Sequence, residues 1–438
     1  MAPPVELQSA LEKVGQGQIT RCWGDLSEDE RSQLSVQIES LGLGGLREKF
    51  EEATATKSGR DLSGEAPKPV SAGRVCSRAS LTAARREEYV RTGLGLIAEG
   101  KVGVILLAGG QGTRLGTKLP KGCVDLQLPG KKTLFQIQAE RILDLQKLAA
   151  EAGGGKGHAV QKPIMWYIML SDATRAYTES YFRENSWFGL KEDQVFLFNQ
   201  GKLPCVSEEG KVLLETKGKI AESPDGNGGI YKALRDSGCL ESMERAGVEA
   251  LDCYCVDNIL AKIADPLLIG YCKSFGADLC CRTLAKSSPG ERVGVFVERG
   301  EGVGVVEYSE LDPEMSAKVA NAETGELYYN WSNICMQYYS KDFLTRICCD
   351  DEVHLEHHLA SKTIPTVDGP VPGVKMEQFI FDVFHYAKKS CLLEVMRDEE
   401  FAPIKSEIAS ATTALTALEG RWSQSGSAED FNTWWYLH

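Results

Sequence analysis

No apolar run in these 438 residues approaches the ~20 that a membrane span requires. The first residues, MAPPVELQSALEKV, lack the basic and apolar regions of a secretory signal, so a cytoplasmic protein is expected. Positive charge is in short supply: 49 Lys and Arg face 62 Asp and Glu, a formal net charge of −13. General nucleic-acid binding needs a basic face and is not expected. An anionic substrate must instead be held by a local cluster of cations and backbone amides. The 14 cysteines contain no paired C-x-x-C sets, which argues for buried free thiols rather than zinc. No glycine loop is followed by Gly-Lys-Ser/Thr, no G-x-G-x-x-G opens a helix, and no Ser–His or Cys–His pair suggests a covalent nucleophile. Hydrophobic residues at 42% and charged residues at 25% suit a globular chain long enough for two or three domains.

What is present centres on Val104 to Lys121, VILLAGGQGTRLGTKLPK. The apolar Val104-Ile105-Leu106-Leu107 run suits a strand buried on both faces of a parallel sheet. It stops at Ala108-Gly109-Gly110-Gln111-Gly112, whose glycines permit positive φ and close approach of a ligand. Such a loop can aim N–H groups at a phosphate, and Arg114 and Lys121 add a bidentate fork and a point charge. The glycines alone are equally compatible with a plain strand–loop–helix turn.

Residues 1 to about 60 read as helical, with Leu7, Leu11 and Val14 on one face and Ser27-Glu28-Asp29-Glu30 opening a helix before Leu34, Ile38 and Leu41. Residues 58 to 80, rich in Ser, Gly and Pro, are expected to wrap the surface. Leu81 to Glu99 is a helix. Thr133 opens another, with Leu134, Ile137, Ile142, Leu145 and Leu148 on one side, ended by Gly153-Gly154-Gly155. Strands at Pro163 to Leu170 and Gln194 to Phe198 enclose a helix from Thr174 to Glu184. This alternation predicts an open, mostly parallel α/β sheet with ligands beyond the carboxyl ends of its strands.

Polar candidates fall on those loops. Gln200 offers a carboxamide to a base edge, or is a simple loop amide. Ser223-Pro224-Asp225-Gly226-Asn227-Gly228-Gly229 is a tight turn-forming loop. Asp257 ends a strand, where a carboxylate can hold Mg²⁺ or cap a helix. Gly294, Glu307, Tyr308 and Asn333 lie on a β-rich insertion at 293–297, 304–308 and 328–336. Lys375 supplies charge near Phe379 and Phe381, which point the same way on extended backbone. His354 and His358 would share a helical face, and with His357 are read as packed or solvated rather than metal ligands.

The string L-A-G-G-x-G-T-R-L-G followed by Pro-Lys, with PDGNGG, VDN, VGV, VVEYSE, NxxNI and GVKMEQFIFD, resembles the eukaryotic-type UDP-N-acetylhexosamine pyrophosphorylases, UDPGP-type nucleotidyltransferases, from about Lys101 to Lys405. The resemblance implies a Rossmann-like nucleotidyltransferase domain at 96–385, a helical region at 1–95, and a short C-terminal region at 386–438 where the family's C-terminal domain is largely missing. It implies uridylyl transfer from UTP to N-acetylglucosamine 1-phosphate, with release of pyrophosphate and dependence on Mg²⁺ or Mn²⁺. By the same resemblance Arg114, Lys121 and Lys375 are catalytic. Leu107, Ala108, Gly109, Gly110, Lys121, Gln200, Gly226, Asp257 and Lys375 bind UTP, and Asp257 carries the metal. Asn227, Gly294, Glu307, Tyr308, Asn333, Phe379, Phe381 and Lys405 bind the sugar phosphate. Small-molecule substrates, no nucleic acid, no membrane and a monomer are expected. A uridylyltransferase for another sugar and a non-catalytic sugar-nucleotide-binding protein are the alternatives. Glu222 and Ser332 depart from the family pattern, the latter where a glycine usually precedes Asn-Ile.

Overall fold

Every residue of the Val102–Leu107 strand is buried, as an apolar strand flanked on both sides and covered on both faces must be. The computed structural model describes residues 2–56, 67–128, 131–153, 162–405 and 408–438. Val102–Leu107 pairs in parallel with Ala250–Cys255 on one side and Met165–Leu170 on the other. Met165–Leu170 pairs in turn with Val195–Asn199, again in parallel. On the opposite side Trp331–Ser340 runs antiparallel to both Ala250–Cys255 and Leu279–Ala285. Ser390–Glu394 and Val75–Ser77 then extend the sheet in parallel. With Lys68–Pro69, Val295–Arg299 and Gly302–Val306 branching from this path, the sheet has eleven strands. It belongs to a unit made of Pro67–Asn199, Tyr231–Glu352 and Val383–His438.

The helices of this unit bury one face each on the sheet. Leu134–Ala152 begins at Thr133, whose side chain accepts from the Gln136 N–H, and buries Leu134, Ile137, Ile142 and Leu145. Ala83–Ala98 and Pro266–Phe275 touch backbone to backbone. A Cβ on Gly93 would overlap the carbonyl oxygen of Pro266, and one on Gly270 would overlap that of Tyr89.

The second unit comprises Met1–Ala66, Gln200–Ile230 and Val353–Asp382. Its helices Val5–Lys13, Glu28–Leu41 and Leu46–Thr56 pack Leu11, Leu34, Ile38 and Leu46 with Val206, Leu214, Val374 and Met376. Ser27 makes a capping box with Glu30, each satisfying the other's backbone N–H. Short hairpins complete the unit, the longest pairing His358–Thr366 with Gly369–Glu377. Both units are assembled from three separated segments, so they cut across the linear division at 95/96 and 385/386.

Several sequence expectations need correction. Of the supposed surface wrap, residues 58–66 lie outside the described residues, as do Gly154 and Gly155. Residues 67–80 do lie mostly at the surface, with only Val70 and Arg78 buried, but they also supply two short strands of the main sheet, and Arg78 is buried where two carboxylates receive it. The third strand of the expected β-rich insertion lies inside the main sheet. His354 and His357 are not helical, and His358 begins a strand. Extended backbone stops at Glu377 and a 3₁₀ turn starts at Ile380, so Phe379 and Phe381 do not alternate along one strand. Among the described residues no helix is long and apolar enough to cross a membrane.

The helix crossing gives a direct stability test. Gly270→Ala forces two helix backbones apart and should destabilise the protein by about 3 kcal/mol, at the upper end of overpacking costs. Urea unfolding compared with the wild type measures it, and a loss under about 0.5 kcal/mol would contradict the close crossing.

Candidate functional site

The glycine loop is closed on itself by backbone bonds. Gly112 N donates to Leu119 O at 2.8 Å and Lys121 N to Gly110 O at 3.1 Å, so the loop returns Lys121 to the strand end where it began. Gly112 is pressed so close that a Cβ would stand 2.7 Å from Thr117 Cγ2. Space beside Gly110 is open, with no atom within 4 Å of a Cβ position, so a ligand can approach its backbone. Leu107 and Ala108 are buried, Gly109 accepts at its carbonyl from Ser171 Oγ at 2.8 Å, and Arg114 is exposed.

Val256 N donates to Leu107 O at 3.1 Å, which brings the end of Ala250–Cys255 level with the glycine loop. Asp257 follows. Lys121 Nζ donates to Asp257 Oδ2 and to Ile404 O, both at 3.2 Å, and Ile404 N donates to Asp257 O at 2.9 Å. The lysine and aspartate side chains are only 18% and 25% exposed, so the pair is partly shielded yet reachable. Lys405 is exposed and directly follows Ile404. Lys121, Asp257 and the Lys405 segment, far apart in sequence, are therefore neighbours.

A second cluster lies on the antiparallel strands of this unit. Asn333 N donates to Gly294 O at 2.8 Å, and a Cβ on Gly294 would stand 3.0 Å from Glu307 Oε1. Gly294, Glu307 and Asn333 thus converge, with Asn333 Oδ1 accepting from Cys335 N at 3.0 Å. Tyr308 is 49% exposed at the end of this hairpin. Ser332 is fully buried between the Leu279–Ala285 and Val295–Arg299 strands, and its carbonyl accepts from Thr283 Oγ1 at 2.9 Å. Its side chain lies in the sheet interior, not on the exposed side of the cluster.

The remaining candidates belong to the other unit. Asp225 N donates to Gly201 O at 3.2 Å beside half-buried Gln200. Gly226 has φ +88°, and a Cβ there would strike the Gln378 carbonyl, so only glycine serves. Gly228 N donates to Gln378 O at 2.8 Å and Ile380 N donates to Asn227 Oδ1 at 3.0 Å, which locks the PDGNGG loop to the turn after Lys375. Phe379 N donates to Asp382 Oδ2 at 3.0 Å, and the Phe379 ring stacks on His358 at 4.1 Å. Phe381 is buried, its ring centroid 5.1 Å from that of Phe379. Burial raises the Asp382 carboxyl above its ordinary value, against the opposing pull of His358. Sequence reasoning overlooked Asn258, Ser171 and Asp382. Besides neighbours two or three residues off, each has a distant partner: Gly109 lies 62 residues from Ser171, His358 24 from Asp382 and Ala402 144 from Asn258.

The chain belongs to the UTP–glucose-1-phosphate uridylyltransferase family, whose sequence profile matches residues 44–417. UDP-N-acetylglucosamine diphosphorylase 2 of Arabidopsis thaliana is 43% identical over 407 residues, covering 92% of this chain and 80% of that protein. UDP-N-acetylhexosamine pyrophosphorylase-like protein 1 of Homo sapiens is 40% identical over 438 residues, covering 97% and 85%. Among solved structures, the UDP-N-acetylglucosamine pyrophosphorylase of Trypanosoma brucei, in complex with an inhibitor, superposes with a TM-score of 0.85 at 29% identity, covering 97% of this chain and 87% of that one.

The turn at 377–380 carries a pH dependence. Gln378 Nε2 donates to His357 Nε2 at 3.4 Å, and burial pulls the His357 imidazole down to about 4. The unfolded chain titrates near 6.5, so it gains a proton that the native state refuses as pH falls through that window. His357 should therefore remove about 2 kcal/mol of stability between pH 7.5 and pH 5. Urea unfolding at both values should show a smaller drop in His357→Gln; an equal drop would contradict the assignment.

Proposed function

We propose that this protein catalyses uridylyl transfer from UTP to N-acetylglucosamine 1-phosphate, giving UDP-N-acetylglucosamine and pyrophosphate. The observation that carries the reading is the partly shielded Lys121–Asp257 pair at the strand end beside the closed glycine loop. The names of the Arabidopsis, human and Trypanosoma brucei relatives support the substrate.

An oxygen of the sugar phosphate attacks the α-phosphorus of UTP in line, and the bond to the β-phosphate breaks as pyrophosphate leaves. Such transfers require positioning and charge neutralisation rather than a protein nucleophile. Backbone N–H groups of Gly109 and Gly110 approach the nucleotide, with Leu107 and Ala108 beneath. Gln200 and Gly226 read the uridine side. Arg114 and Lys121 neutralise charge that develops on the β- and γ-phosphates. Lys375 faces the α-phosphate and Lys405 the sugar phosphate. Asn227, Gly294, Glu307, Tyr308, Asn333, Phe379 and Phe381 form the set assigned to the sugar.

A divalent ion fits the donor chemistry at Asp257. Among the described residues no group of three or more His, Cys, Asp or Glu side chains is arranged to hold a metal. A single accessible carboxylate is the protein share expected for Mg²⁺, which takes its other oxygens from substrate phosphates and water. When bound, the ion supplies charge neutralisation on those phosphates. Asp257 would hold it, by exchanging its contact with Lys121.

Two measurements test this reading. Pyrophosphate release with UTP should rank N-acetylglucosamine 1-phosphate first, N-acetylgalactosamine 1-phosphate second and glucose 1-phosphate far behind. A site that leaves buried polar groups unpaired rejects a truncated ligand. Glucose 1-phosphate matching N-acetylglucosamine 1-phosphate in kcat/KM would overturn the sugar assignment. Asp257→Asn keeps the shape but removes the charge, and should lower turnover at least ~10²-fold. Near-normal turnover would remove Asp257 from the mechanism.

A further inference from the structure

Asn258 uses its whole hydrogen-bonding capacity inside the protein, half of it on one junction. The residue is 2% exposed. Its Nδ2 donates to Glu400 O at 2.7 Å and to Met336 Sδ at 3.1 Å. Its Oδ1 accepts from Ala402 N at 2.9 Å and Leu260 N at 3.2 Å. An amide can donate two hydrogen bonds and accept two, so nothing is left over for solvent or ligand. On either side the main chain continues the seam: Ile259 N donates to Ala402 O at 3.3 Å and Ile404 N to Asp257 O at 2.9 Å. Residues 402–404 thus run antiparallel beside 257–259 as a short two-strand ribbon, with Asn258 as its side-chain rung.

That ribbon carries two groups of the proposed reaction. Ile404 O receives Lys121, and Lys405 is the next residue. A plain helix cap does not account for the pattern. Closing the Arg397–Glu400 helix needs only the donation to Glu400 O, whereas the bonds from Ala402 N and Leu260 N lie beyond that helix. Aspartate, the closest isostere, lacks the donor for Glu400 O and would bring a second carboxylate beside Asp257.

We infer that Asn258 is a positioning residue: it fixes the Lys405-bearing segment against the Asp257 loop, so that the lysine and the aspartate are presented to the sugar phosphate and the nucleotide in one geometry. This deepens the function proposed above and rests on it for the role of Lys405. The ribbon itself stands on the contacts alone.

A double-mutant cycle with a structural readout tests it. Asn258→Ala and Lys405→Ala should each lower kcat/KM for N-acetylglucosamine 1-phosphate by roughly 30-fold, with KM for UTP changed less than about threefold. If Asn258 acts through Lys405, the double variant should fall no more than about threefold below the worse single one, because coupled residues are not additive. Losses that multiply, or a Lys405→Ala variant as active as the wild type, overturn the inference. Amide hydrogen exchange gives the reading that does not depend on activity. Ala402 and Ile404 should exchange at least ~10-fold faster in Asn258→Ala while the Ser390–Glu394 strand is unchanged. Unchanged exchange at those two amides overturns the inference whether or not the wild type transfers uridylyl groups. A wild type without transfer refutes the proposed function separately. Should Asn258→Ala fail to fold, Asn258→Asp enters the same cycle, since it keeps the volume and removes the donor.

Discussion

Five charged side chains buried in the main-sheet unit form one connected set, and the rest of the site depends on it. Arg78 bonds Asp265 and reaches Glu400 at 3.1 Å, while Arg282 bonds Asp252 and lies 3.9 Å from the second Glu400 oxygen. All are 0 to 2% exposed. Charges this deep persist only when paired, and removing one partner costs about 3–5 kcal/mol because the other is left without compensation. The set joins the turn that follows the edge strand Val75–Ser77, two central strands, the N-cap of Pro266–Phe275 and the segment that precedes Lys405. Asp252 and Asp265 stand on either side of the Asp257 loop, so the same interactions that make the interior tolerable hold that loop at both ends.

Between those ends the chain from Val256 to Ala264 has no regular structure, yet each buried backbone group still requires a partner. Side chains provide them. Gln138 Nε2 donates to Val256 O at 3.2 Å, Arg141 to Ile259 O at 2.7 Å, Arg282 to Lys262 O at 2.9 Å, and the Tyr436 hydroxyl to Ile263 O at 2.8 Å. Arg141 is stacked 4.6 Å from the Trp435 ring, so the helix Phe431–Leu437 acts as a lid over the loop's own scaffold. Burial pulls the Lys262 ammonium down to about 8, which still leaves it mostly protonated near neutral pH beside the buried carboxylates of Glu400 and Asp265. A loop satisfied this way is rigid without a helix or strand, which suits the metal-holding role proposed for Asp257 better than a conventional mobile turn.

Local chemistry is what the sequence expressed clearly. The buried strand at 102–107, the Thr133 and Ser27 caps and the turn at 223–229 follow from side chains that act on their immediate neighbours. The convergence of Lys121 with Asp257, 136 residues apart, was legible only through the resemblance. The antiparallel Trp331–Ser340 strand was expected in part, at 328–336, but assigned to an insertion rather than to the middle of the main sheet, because its residues alternate like any half-buried strand. Nothing local says which neighbours it will find. Arg78 was misread for the opposite reason: its surroundings are polar and turn-rich, and its burial is imposed by Asp265 and Glu400. Phe379 and Phe381 illustrate a third failure, in which a period-two argument assumed extended backbone two residues past its end.

The resting contact between Lys121 and Asp257 also explains how an acidic chain can accept a polyanionic substrate. Without a partner, a half-buried carboxylate would repel phosphate and a half-buried ammonium would pay desolvation alone. Held 3.2 Å apart, each lowers the cost of shielding the other, and the Ile404 carbonyl fixes the lysine in place. On the proposed reading, Asp257 would hold a divalent ion, which would supply charge neutralisation, and Lys121 would face the phosphates. That arrangement would give each charge a partner. It needs no basic face on the protein, only a loop and a segment rigid enough to keep the two groups in reach. The buried charge set and the Asn258 seam supply that rigidity.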